Sequence, residues 1–87
     1  MSTWGSAHVV LQRVPEDFHM QPFMKIASFA RDSRRAIVIG VLRSKHIHGA
    51  PQDYVVLAPD PRMPLYSYVE GVEGGRQPGD FLYVLVR

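Results

Sequence analysis

The sequence predicts an α+β fold: a small, mainly antiparallel five-stranded sheet or partly closed barrel with one amphipathic helix, in the order β-α-β-β-β-β. Three observations predict it. Residues 36–42 and 81–86 are nearly unbroken runs of Val, Ile, Leu and aromatics, and both are of strand length. One segment repeats its apolar residues at helical spacing, with Phe23, Ile26, Ala27 and Ala30 at i, i+3, i+4 and i+7. Clusters of Pro and Gly divide the rest into short apolar pieces.

Taken in order, residues 7–14 are rich in β-branched and apolar residues and stop at Pro15, which predicts the first strand. Trp4 lies just before it, where a large apolar ring is expected to pin the terminal segment to the core. Residues 16–21 connect to Pro22, a suitable helix start because the missing N–H costs nothing there, so the helix is placed at about 22–33. Met24 and Phe29 widen its apolar stripe toward a partner-facing margin.

Residues 35–43 form the central strand. Ala36, Val38 and Leu42 alternate with Ile37, Ile39 and Val41, so both faces are apolar and both need cover. Residues 54–58 and 81–86 are further strands, and the last is again apolar on both faces. Between them, three prolines in residues 59–64 make a rigid connector. Residues 65–70 read as a strand carrying Tyr66 and Tyr68 on one face, and the glycine-rich stretch 71–79 as a turn. One helix covers one face of such a sheet. The other face then needs barrel closure, a second layer of strands or another copy of the chain.

At 87 residues the chain is expected to be a single domain, 1–87, with a thin core, and with no cysteine it has neither disulfide nor thiolate metal site to reinforce it. No basic stretch followed by an apolar one opens the sequence, and no apolar run approaches the ~20 residues that span a bilayer. A cytoplasmic protein with no membrane partner is therefore expected.

The net charge of +2 hides a polarity. Residues 1–50 hold seven Lys or Arg against three acids, a net of +4, and residues 51–87 hold three against five, a net of −2. The excess lies in the 31–45 region, where Arg31, Arg34, Arg35, Arg43 and Lys45 form a basic patch suited to an acidic protein surface or to nucleic acid.

His46-Ile47-His48 is the most specific local pattern, because residues i and i+2 of an extended segment project to one side and two imidazoles there could share a metal ion. Gly40 stands six residues before His46, and Pro78-Gly79-Asp80 precedes the last apolar strand. In this order the elements resemble the first half of a cupin motif and its glycine-aspartate turn. The resemblance implies a metal site using His46 and His48, with Gln52 or Asp53 in the zone where the family has a glutamate. No nucleophile elbow, Ser-x-x-Lys pattern or phosphate-binding loop is present.

The expectation is a small non-enzymatic module with no cofactor that binds another protein and includes self-association to a homodimer. It would use the basic patch together with Met24, Phe29, Tyr66 and Tyr68, and its size and polarity suit a regulator or inhibitor, including one carried on a phage or mobile element. The alternatives are a nucleic-acid-binding barrel using the basic 31–45 region and tyrosine stacking, and the cupin-like metal protein.

Overall fold

The computed structural model describes residues 7–71 and 74–87, so the expectation for Trp4 lies outside the described residues. Among the described residues the fold is α+β, with six strands in two antiparallel sheets. Strands β1 (His8–Arg13), β2 (Ile37–Arg43), β3 (Tyr54–Leu57) and β6 (Phe81–Val86) form the main sheet in the order β1-β6-β2-β3. Strands β4 (Tyr68–Glu70) and β5 (Arg76–Pro78) form a separate two-stranded ribbon. The sheet is open, not a barrel.

The one long helix, α1 (Phe23–Arg34), follows the predicted periodicity. Phe23 and Ile26 are buried, and Ala27 and Ala30 pack beside them against the sheet. The sheet answers with Val41, Leu82 and Val84, flanked by Val10, Val38 and Val86. Arg35 ends the helix in the left-handed conformation that glycine normally supplies, with φ of 50°.

The helix start explains why the sheet holds four strands and not five. No side chain caps it, and the exposed amide groups of its first turn need acceptors. The proline connector provides them: Phe23 N–H donates to Met63 O at 2.8 Å and Met24 N–H to Pro61 O at 2.9 Å. The chain leaving β3 is thereby drawn to the helix instead of along the sheet edge. Residues 65–70, predicted as one strand, divide into a fully buried Leu65 and the short β4. The β5 strand lies inside the stretch expected to be only a turn.

A buried ion pair fastens this detour to the main sheet. Asp80, fully buried before β6, accepts from Arg43 Nε at 3.4 Å and Nη2 at 3.2 Å and from the Tyr66 backbone N–H at 2.9 Å. Arg43 Nη2 also donates to Pro64 O at 2.6 Å, so three segments, β2, residues 64–66 and the turn before β6, meet on two side chains. Gly79 lets the backbones close up, since a Cβ there would run into Tyr66 O and come within 2.9 Å of Tyr68 N.

Candidate functional site

Because side chains alternate along a strand, the residues not turned toward α1 share the opposite face of the main sheet. The register places Val9 beside Leu85, Leu11 beside Tyr83, Ile37 beside Leu85, and Val55 beside Leu42. Leu57 lies across from Gly40. A Cβ at Gly40 would sit 3.2 Å from Leu57 Cδ2 and 3.8 Å from Tyr83 Cδ2, so these two side chains converge over the glycine at the centre of the face. Among the described residues no element covers it. Val9, Leu11, Ile37 and Val55 are each about half exposed, and Leu57 is 72% exposed. Scattered apolar exposure is ordinary, whereas a contiguous apolar sheet face marks a place where something binds.

The basic residues divide. Arg31, Arg34 and Arg35 gather at the end of α1 and, with Arg87 from the C-terminal side of β6, rim a hollow of about 490 Å3. Its floor includes Ile37 and Leu85, which belong to the uncovered face, so the arginine cluster borders that face at one end. Arg43 is placed elsewhere: it is buried in the Asp80 pair and contributes nothing to the surface charge. Lys45 is exposed, with its backbone N–H held by Asp53 Oδ1 at 2.9 Å. It lies beyond the far end of β2, since that strand runs from Ile37 at the arginine end to Arg43.

The apolar and aromatic candidates are equally dispersed. Met24 stands exposed in the first turn of α1. Phe29 packs on Phe18 with centroids 5.4 Å apart and lines a groove of about 300 Å3 where α1 leaves β1 partly uncovered. Tyr68 is sandwiched between the His19 ring, stacked at 4.4 Å, and the Arg76 guanidinium, 4.2 Å from its centroid. Tyr66 meets His19 edge-on at 5.9 Å. The His19 Nδ1 accepts from Ser67 N–H at 3.1 Å, which puts any neutral-ring proton on Nε2. Glu16 holds Arg76 at 2.7 Å, and that hydrogen bond, with the charges of Tyr68 and Glu16, pushes the guanidinium above its ordinary value. This stack ties the ribbon to the segment before α1. Its Tyr68 ring already has a partner on each side.

The histidine pattern does not lie on a strand. Residues Lys45–His48 form a single helical turn, α2, started by Ser44, whose side chain accepts from His46 N–H at 3.2 Å, and closed by Gly49 with φ of 64°. The same-side argument for the two imidazoles requires an extended backbone, which is not present here. His46 lines a shallow hollow with Ser44 and Asp53. Among the described residues no three His, Asp or Glu side chains gather as a metal site would require.

No family model matches the chain, and neither does any curated protein or solved structure. The site therefore stands on its own geometry. Among the described residues no helix is long and apolar enough to cross a membrane.

Val9, Leu11, Ile37, Val55 and Leu57 were not singled out by sequence reasoning as site residues. The signal for them was the two-faced apolarity of the strands, which implies an unfilled need for cover but not which face lacks it.

Proposed function

We propose that the chain is a small, non-enzymatic interaction module that works by placing the uncovered face of its main sheet against another protein surface. The observation that carries this reading is the exposure of Val9, Leu11, Ile37, Val55 and Leu57 on one continuous sheet face. Burying such a face is worth about 25 cal/mol per Å2 of apolar area, whereas leaving it in water promotes nonspecific association. The adjoining arginine cluster favours an acidic rim on whatever approaches from that end.

Carbene footprinting tests this. In native extract at working concentration, Val9, Leu11, Val55 and Leu57 are expected to be labelled several-fold less than in the purified chain at high dilution. Equal labelling in both samples would mean that the face works uncovered and would end the reading.

A second reading, binding of nucleic acid, is supported by the convergence of Arg31, Arg34, Arg35 and Arg87 at one end. The tyrosines expected to stack bases are not beside that cluster. Pro22 bridges to Pro64 at the start of α1, near the tyrosine segment, and the helix arginines, Arg31 and Arg34, lie roughly 14 to 18 Å along the helix from it. Affinity for single-stranded oligonucleotides that falls steeply with salt, and that is lost in Arg34→Ala/Arg35→Ala, would favour this alternative.

A further inference from the structure

We infer that the occupant of the uncovered face is a second copy of this chain, packed sheet on sheet with the arginine ends of the two copies pointing away from each other. The inference rests on the interaction-module reading and deepens it by naming the partner.

Area comes first. Strands about 4.8 Å apart, rising about 3.3 Å per residue, give four strands of about six residues a plan area of roughly 400 Å2. Two such faces bury ~800 Å2 in plan and more than ~1,000 Å2 once the relief of their side chains is counted, which reaches the threshold for a specific interface. A face of this extent is large for a chain of 87 residues to leave in water.

Charge narrows the choice of occupant. The two central strands contribute Ile37, Leu42, Phe81, Tyr83 and Leu85 to the face, and none is charged. The face carries one charge by this register, Arg13 at its edge beside Phe81, so it meets its own copy with little like-charge repulsion, and the copy is a surface of matching size and flatness. An isologous contact of this kind closes on itself and leaves no further apolar sheet face to propagate. Aligned sheet packing of this type holds two inner faces about 10 Å apart, with side chains interdigitated.

The ends set the orientation. Arg31, Arg34, Arg35 and Arg87 cluster where β2 begins, beside Ile37 and Leu85. At the other end, where Leu42 pairs with Phe81, the nearby charges are Arg13, Lys45 and Asp53, a mixed set. Arg31 pairs with Asp32 at 3.4 Å, so stacking arginine end on arginine end still sets the excess positive charge of Arg34 and Arg35 against its like. Reversing the ends opposes them to a near-neutral set, and Tyr83 and Leu57 then lie near the dyad. The reversed dimer presents one basic cluster at each pole.

The absence of cysteine makes the geometry directly testable. Sedimentation velocity from 1 to 100 μM is expected to show a dimer, and Leu11→Glu/Leu57→Glu to weaken it at least 100-fold while the far-ultraviolet spectrum is unchanged. Should that variant misfold, Leu57→Ser serves in its place, with an expected weakening of about tenfold. With a short bismaleimide, Ile37→Cys alone should not cross-link, whereas an exchanged mixture of Ile37→Cys and Leu42→Cys should. Self-linking of Ile37→Cys would overturn the reversed arrangement, and a dimer indifferent to both face variants would overturn the face as its interface. A monomer throughout, whose face is nonetheless protected in extract and loses a stoichiometric foreign protein in the variant, would refute the second copy and leave the module reading standing. A monomer with an unprotected face would remove both.

Discussion

The two faces of the main sheet have similar composition and different surroundings. On one, Val41, Leu82 and Val84 lie under α1 with less than a twentieth of their surface exposed. On the other, Val9, Leu11, Ile37 and Val55 keep about half of theirs in water. The same β-branched and aliphatic residues therefore do two kinds of work. On the covered face they supply the stability of an isolated chain, and on the open face they supply little until something is placed over them. The core of the described chain comes from one face, and the proposed reading assigns the other to association.

The covered side depends most on its clasp, and breaking that should have the largest effect. Asp80→Ala leaves the Arg43 guanidinium buried with only Pro64 O as its acceptor, and is expected to lower stability by about 3–5 kcal/mol in urea unfolding. Replacing both partners, Arg43→Met with Asp80→Ala, should cost less than Asp80→Ala alone, because no uncompensated charge remains. A double variant as unstable as the single one would show that Asp80 acts mainly through the Tyr66 N–H and not through the pair.

Next in size is the core itself. Leu82→Ala, at a position 3% exposed, should cost about 2–5 kcal/mol, and Leu11→Ala on the open face less than about 1 kcal/mol at high dilution. Equal losses would mean that the two faces are covered alike in the isolated chain.

How much of this contrast could be read in the sequence depended on the range of the interaction. The α1 stripe was legible because Phe23, Ile26, Ala27 and Ala30 carry their periodicity within eight residues. The need for cover on both faces of residues 35–43 and 81–86 was legible for the same reason, and the structure supplies α1 for one of them. Arg43 was not legible as a buried residue, since its partner lies 37 residues away and a guanidinium in a basic stretch looks like surface charge. The Pro78-Gly79-Asp80 turn was noticed as part of a resemblance to a metal-binding motif. In the structure Gly79 permits the close backbone approach and Asp80 clasps Arg43. The helical turn at 45–48 had local signals in Ser44 as cap and Gly49 as stop, and these were outweighed by the attraction of two histidines two residues apart. The division into four and two strands was hidden because it depends on which carbonyls satisfy the first turn of α1.

Between the two faces lies the arginine end, where stability and function can be separated. Arg35 occupies a left-handed position at the helix terminus that costs an L-residue about 1 kcal/mol relative to glycine. Arg35→Gly should therefore raise the thermal midpoint slightly, by the equivalent of about 0.5–1 kcal/mol. A fall on substitution would mean that the Arg35 side chain contributes packing that offsets the backbone cost. A rise would show that the left-handed backbone cost outweighs whatever the Arg35 side chain contributes to the fold.

The smallest effect on the isolated chain is expected at Leu57, and it is also the most discriminating. At 72% exposure the side chain has little to lose, so Leu57→Ser should change stability by less than about 0.5 kcal/mol at submicromolar concentration. Covering changes that by mass action, because anything that binds only the folded chain stabilises it by RT ln(1 + [L]/Kd). For a face closed by a second copy, the urea midpoint of the wild type should climb with protein concentration, while that of Leu57→Ser should stay flatter. The two curves coincide at dilution and separate as concentration rises. Parallel, concentration-independent curves would show that in the purified protein the open face is not closed by its own copy.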